Sequence, residues 1–86
     1  VMQTFKYVIK DELGIHARPA GLLVKEAAKF QADIKIKKGE KEADAKRIFG
    51  IMGLAAKKGD EIVLTADGAD EADAIAAIEE FLKANL

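Results

Sequence analysis

Apolar residues in this chain switch between a spacing of two and a spacing of three or four, and the order of those switches restricts the fold. In "TFKYVIK" (residues 4–10), Phe5, Tyr7 and Ile9 fall on one face, the alternation of a half-buried strand. Ala20, Leu23, Val24 and Ala27 then recur at helical spacing, with Lys25, Glu26 and Lys29 on the other side. "DIKIKKGEKEADA" (33–45) reads as two short strands, Ile34 and Ile36 facing in, joined by a tight turn at Lys38-Gly39. "RIFGIMGLAA" (47–56) is a short helix, "KKGD" (57–60) a turn and "EIVLTA" (61–66) a strand. The last stretch, 68–86, opens with Asp70, Glu71 and Asp73, as a helix N-terminus favours, and Ile75, Ile78 and Leu82 form its inner stripe. The order β-α-β-β-α-β-α predicts an α+β two-layer sandwich, helices covering one face of an antiparallel sheet.

A chain of 86 residues points to one domain, spanning 1–86, with one modest core. Half of the residues are hydrophobic, enough for that domain to fold alone. With no cysteine, a disulfide scaffold and a thiolate metal site are both excluded. No basic-then-apolar leader opens the sequence, and no apolar run approaches the roughly 18 residues of a membrane span. A soluble, cytoplasmic protein with no membrane insertion is expected. Net charge is −1 but uneven: residues 1–66 carry 13 Lys/Arg against 9 Asp/Glu, whereas residues 67–86 carry one Lys against 6 Asp/Glu. A basic body of this kind suits an anionic ligand or an acidic protein partner. Nucleic acid is not expected, because the five aromatics are not interleaved with a basic run.

The one histidine and the one proline lie three positions apart in "IHARP", with Arg18 between them. A lone histidine is more often a surface residue than a reactive one, so its setting decides. Pro19 is favoured in the first turn of a helix, where its missing N–H costs nothing. His16 then falls at the N-cap, and the N–H groups of Ala17 and Arg18 have no acceptor within the helix. Free backbone donors at the positive dipole end make an anion site, and Arg18 adds a planar fork matched to phosphate oxygens. A ring nitrogen with a free lone pair at this position is the nucleophilic form of the side chain. Once a phosphoryl group sits on the ring, the same donors stabilise its negative charge.

Other chemistries fit less well. The chain has no serine, so a Ser-His-Asp triad is impossible. A metal site would have to rely on carboxylates, and "DGADEAD" lacks the spacing of an EF-hand loop; it is read as a capped helix start. No cofactor and no metal are expected. Ile48, Phe49, Ile51, Met52 and Leu54 are too many large apolar residues for one buried stripe of a short helix. Some of them must lie outside, and an exposed apolar patch commonly marks a docking surface.

"GIHARPAG" together with "AKRIFGIMGLAAKKGDEI" and "ADGADEADAIAAIEEF" resembles the HPr family, the histidine-containing phosphocarriers of the bacterial phosphoenolpyruvate-dependent sugar phosphotransferase system. The resemblance runs along essentially the whole chain. It implies an open-faced β-sandwich, a four-stranded antiparallel sheet with three helices on one face. It implies a carrier, not an enzyme, phosphorylated transiently on Nδ1 of His16, with Arg18 and the Ala17 and Arg18 amides as phosphoryl partners. Enzyme I, charged by phosphoenolpyruvate, would be the donor and sugar-specific enzyme IIA domains the acceptors. Ala17, Arg18 and Gly21 of the first helix, with Ile48, Phe49 and Met52 as exposed contacts of the second, would dock them. Gly50 and Gly53 would keep that helix thin, and Arg47 would favour an acidic partner. Many relatives from Gram-positive bacteria have a serine after the lysine here, where a dedicated kinase acts. Arg47 follows Lys46 instead, so that switch is expected to be absent. Three alternatives stay open at this level: a ligand-binding regulatory module of the ACT type, a regulatory paralogue, and a domain of a larger multiphosphoryl-transfer protein. Monomer is the expected state for a carrier grasped by several partners in turn.

Overall fold

Residues 2–86 are described by a computed structural model of the chain. Strand β1 (Gln3–Val8), helix α1 (Ala17–Ala27), strands β2 (Asp33–Lys38) and β3 (Lys41–Asp44), helix α2 (Ile48–Gly53), strand β4 (Glu61–Asp67) and helix α3 (Glu71–Asn85) follow one another in the expected order. The four strands form one sheet in the order β1-β4-β2-β3, every neighbouring pair antiparallel. Its register makes the burial pattern legible. Phe5, Leu64, Ile36 and Ala43 stand side by side across the sheet, as do Lys6, Val63, Lys37 and Glu42 one step along. A step of one residue moves side chains to the opposite face, so the first row packs under the helices and the second faces water.

The core joins Ile34, Ile36, Ile62 and Leu64 of the sheet to Ala20 and Leu23 of α1, Ile51 of α2, and Ile78 and Leu82 of α3. Alanines at 20, 27, 66 and 74 are fully buried, so the helices approach the sheet closely without large side chains between them. Among the described residues no helix is long and apolar enough to cross a membrane.

Three details differ from the sequence-based reading. Lys38 still pairs with Lys41, so the β2–β3 loop is Gly39-Glu40, one residue later than expected. Gly39 takes φ +58° at the first loop position, where a type II′ turn requires glycine. In α3, Ala74 joins Ile78 and Leu82 on the buried stripe, and Ile75 is only half-buried. Asp70 stands at the N-cap of α3, but its carboxylate makes no bond to that helix. It accepts the Gln31 and Ala32 N–H groups, each at 2.8 Å, tying the start of β2 to the start of α3. Those backbone donors, Gln31 foremost, hold the Asp70 carboxyl below its ordinary range. Glu71 takes up the reach-back role, its Oε1 accepting the Gly68 N–H at 3.1 Å.

Candidate functional site

The start of α1 has no side-chain cap, and the loop that leads to it is held by one side chain and by backbone bonds. Asp11 closes the preceding turn twice: its side-chain Oδ1 accepts the Leu13 N–H at 2.8 Å and its carbonyl accepts the Gly14 N–H at 3.0 Å. Gly14 adopts φ +65° and is pressed against the α2–β4 connection, where a Cβ would meet the Ala56 carbonyl and approach the Lys57 Cα to 2.7 Å. Only glycine fits such a left-handed position without room for a side chain. Ile15, buried, donates its N–H to the Ala56 carbonyl at 3.0 Å. The chain therefore arrives at His16 along a seated track.

His16 is the N-cap residue, with extended backbone (φ −95°, ψ −175°) and its carbonyl accepting the Ala20 N–H at 3.0 Å. Its imidazole makes no cap bond, and among the described residues neither ring nitrogen has a hydrogen-bond partner. Pro19 is buried in the first turn and has no N–H to satisfy. The Ala17 and Arg18 N–H groups have no acceptor among the described residues, two donors left over at the positive end of an 11-residue helix. The Arg18 guanidinium is exposed and has no ion-pair partner among those residues.

His16 and Arg18 share a surface cleft of about 210 Å³ with Asp11, Pro19, Leu22 and Asn85. The half-buried His16 ring thus meets solvent next to a guanidinium and two free amides, an arrangement able to present a nucleophilic nitrogen and to receive an anion on it. Sequence reasoning had named His16, Arg18, Ala17 and Pro19. It missed Asp11, Leu22 and Asn85, and it missed Gly14 and Ala56, which seat the loop. A glycine two residues before the N-cap was a usable signal for the seat. The arrival of Asn85 from the far end of α3 had none.

The second group of expected residues lies on α2 and the facing side of α1. Phe49 is 86% exposed and Met52 39%, an apolar pair left open to solvent. Ile48 departs from the expectation of an exposed contact: it is half-buried against the core. Its Cδ1 lies where a Cβ on Gly21 would come within 3.7 Å, so Gly21 and Ile48 meet at the α1–α2 contact. Arg47, the N-cap of α2, is exposed, as are Ala17 and Arg18. Gly50 permits close approach within the molecule, a Cβ there standing 3.3 Å from that of Ala43, whereas Gly53 faces open space.

Residues 3–84 match the family described as the PTS HPr component phosphorylation site. The phosphocarrier protein HPr of Mycoplasma genitalium is 45% identical over 85 residues, which is 98% of this chain and 97% of that protein. The solved structure of a Mycoplasma histidine-containing phosphocarrier protein superposes with a TM-score of 0.90 at 44% identity, over 92% of this chain and 90% of that one. An HPr structure from Thermoanaerobacter tengcongensis gives a TM-score of 0.91 at 39% identity, over 95% and 92% of the two chains. The chain therefore belongs to the HPr family, phosphocarrier proteins of the sugar phosphotransferase system and not enzymes in their own right.

Proposed function

We propose that His16 is the phosphoryl-carrying residue, loaded by phosphorylated enzyme I, itself charged by phosphoenolpyruvate, and discharged to enzyme IIA domains in the cytoplasm. The observation behind this is that, among the described residues, the imidazole at the α1 N-cap, the Ala17 and Arg18 amides and the Arg18 guanidinium all lack partners. In the loading step the Nδ1 lone pair of His16 attacks phosphorus. A nitrogen–phosphorus bond forms while the bond to the donor breaks, and its electron pair stays with the donor. Arg18 and the two amides stabilise the charge gathering on the phosphoryl oxygens, and these donors need no rearrangement to do so. Discharge to an enzyme IIA domain runs the same exchange in reverse.

Docking follows from the exposed face that continues from the cleft. Ala17, Arg18 and Gly21 of α1, with Arg47 at the N-cap of α2 and Phe49 and Met52 within it, offer an apolar patch flanked by two cations, suited to an acidic partner surface. Ile48 supports that patch from below. The chain acts as a single phosphocarrier domain and as a monomer, and with no serine present it carries no serine switch; Arg47 stands in its place.

Incubation with enzyme I and phosphoenolpyruvate, read by intact mass, tests the assignment. The expected result is an acid-labile gain of one phosphoryl group that disappears in His16→Ala. An unmodified wild type, or an undiminished gain in His16→Ala, rejects it.

A further inference from the structure

We infer that Lys38 and Asp60 are positioning residues for His16, acting through the Ala56 carbonyl, an inference that rests on the carrier role proposed above. At the residue just before His16, the α2–β4 connection supports the loop through one backbone bond, Ile15 N–H to the Ala56 carbonyl at 3.0 Å. The backbone groups on both sides of Ala56 are tied to one ion pair. Lys38 Nζ donates to the Ala55 carbonyl at 3.1 Å and lies 3.2 Å from Asp60 Oδ2. That same Oδ2 accepts the Lys57 N–H at 2.9 Å. The Ala56 residue is thereby bracketed, its preceding carbonyl held by Lys38 and its following amide by Asp60.

The bracket is itself anchored. The Asp60 carbonyl accepts the Ile9 N–H at 3.0 Å, its N–H donates to the Lys57 carbonyl at 2.9 Å, and Gly59 donates to the Ile9 carbonyl at 2.8 Å. Lys38 is the last residue of β2, paired with Lys41. The turn also needs holding, because Ala55 adopts φ +52°, a left-handed conformation unfavourable for any residue with a Cβ. Such conformations persist where surrounding contacts enforce them. The Lys38 and Asp60 side chains are 29% and 36% exposed, and an ion pair in that setting contributes little by itself. Its effect here comes from both ends engaging the backbone of the same turn. The turn bears the carbonyl that Ile15 uses, and His16 is the next residue.

Amide exchange followed by NMR, paired with steady-state phosphorylation by enzyme I, tests the link. In Lys38→Met the Ile15 amide should exchange about tenfold faster, the scale of one lost hydrogen bond to a charged group. The kcat for phosphoryl uptake should fall several-fold while KM is unchanged, because the α1–α2 docking face is untouched. Lys38→Arg should retain most of the activity. Ala55→Gly added to Lys38→Met should recover part of the Ile15 protection, since glycine tolerates the left-handed turn. Lys58→Met is the control: Lys58 pairs with Glu12 at 3.5 Å but bonds no backbone of this turn, so it should change neither readout. Unchanged Ile15 exchange in Lys38→Met overturns the inference. So does an equal effect in Lys58→Met, or faster exchange with unaltered kcat. If Lys38→Met fails to fold, Asp60→Asn is read by the same criteria. A wild type that takes up no phosphoryl group overturns the carrier reading instead, while the exchange comparison still decides the connection to Ile15.

Discussion

Replacing Gly14 with alanine should be the most damaging small substitution near the cleft, and the structure separates its two causes. Gly14 sits at φ +65°, where an L-residue with a Cβ loses about 1–2 kcal/mol. The added Cβ would also overlap the Ala56 carbonyl and come within 2.7 Å of the Lys57 Cα, both backbone atoms that cannot rotate away. Forcing such groups apart costs about 1–3 kcal/mol, so the total is about 2–5 kcal/mol. Gly39→Ala is the internal reference. Gly39 has φ +58°, nearly the same backbone demand, but nothing lies within 4 Å of its Cβ position, so only the conformational part is lost. For a domain of this size each kcal/mol lowers Tm by roughly 4–8 °C, which makes the two variants easy to distinguish. Urea unfolding with a common m-value and thermal melts by circular dichroism measure both. Equal losses in the two variants would show that the seat on Ala56 carries no energy and refute the reasoning.

Three further outcomes follow from the same geometry. Arg18→Ala should slow phosphoryl uptake by about ten- to a hundredfold, the value of a charge-assisted hydrogen bond, while unfolding free energy stays within about 0.5 kcal/mol because the side chain is exposed; a variant that unfolds would make Arg18 structural. Phe49→Ala should weaken enzyme I binding by calorimetry yet leave Tm nearly unchanged, since the ring is 86% exposed; the opposite ranking would place Phe49 in the core. The Asp70 carboxyl is held below 3.8 by the Gln31 and Ala32 amides, so the unfolded chain binds its proton first as pH falls. Its stabilising contribution is complete above that ordinary value and is lost as pH drops through the lower folded one. Asp70→Asn should therefore flatten the decline of the urea midpoint below about pH 4, and a decline as steep as in the wild type would contradict the assignment.

Periodicity made the element order and the sheet face legible, because each strand buries one side only. Ile34 and Ile36 could be placed inward from alternation, and His16 at the helix mouth from Pro19. Tertiary contacts were not legible. The acidic cluster at 70–73 suggested local capping, but Asp70 turns to Gln31 and Ala32, some 38 positions away, since backbone donors there were otherwise unpaired. Ile48 looked like one more exposed residue of an overfilled helix. Its burial follows from the absent Cβ at Gly21, which lets α2 close on α1. The turn slipped by one residue because Lys38 and Lys41 complete a ladder rung that alternation alone cannot count.

Among the described residues, no hydrogen bond holds the imidazole of His16. In the carrier role proposed for His16, a ring with no polar tether could align with donors and acceptors that approach from different angles, so one small carrier could serve sites of unlike shape. Each partner would then have to immobilise the ring for itself, at the entropy cost of freezing a side chain. Selectivity among recipients would accordingly reside in the protein that clasps the ring, leaving the carrier a common currency between them.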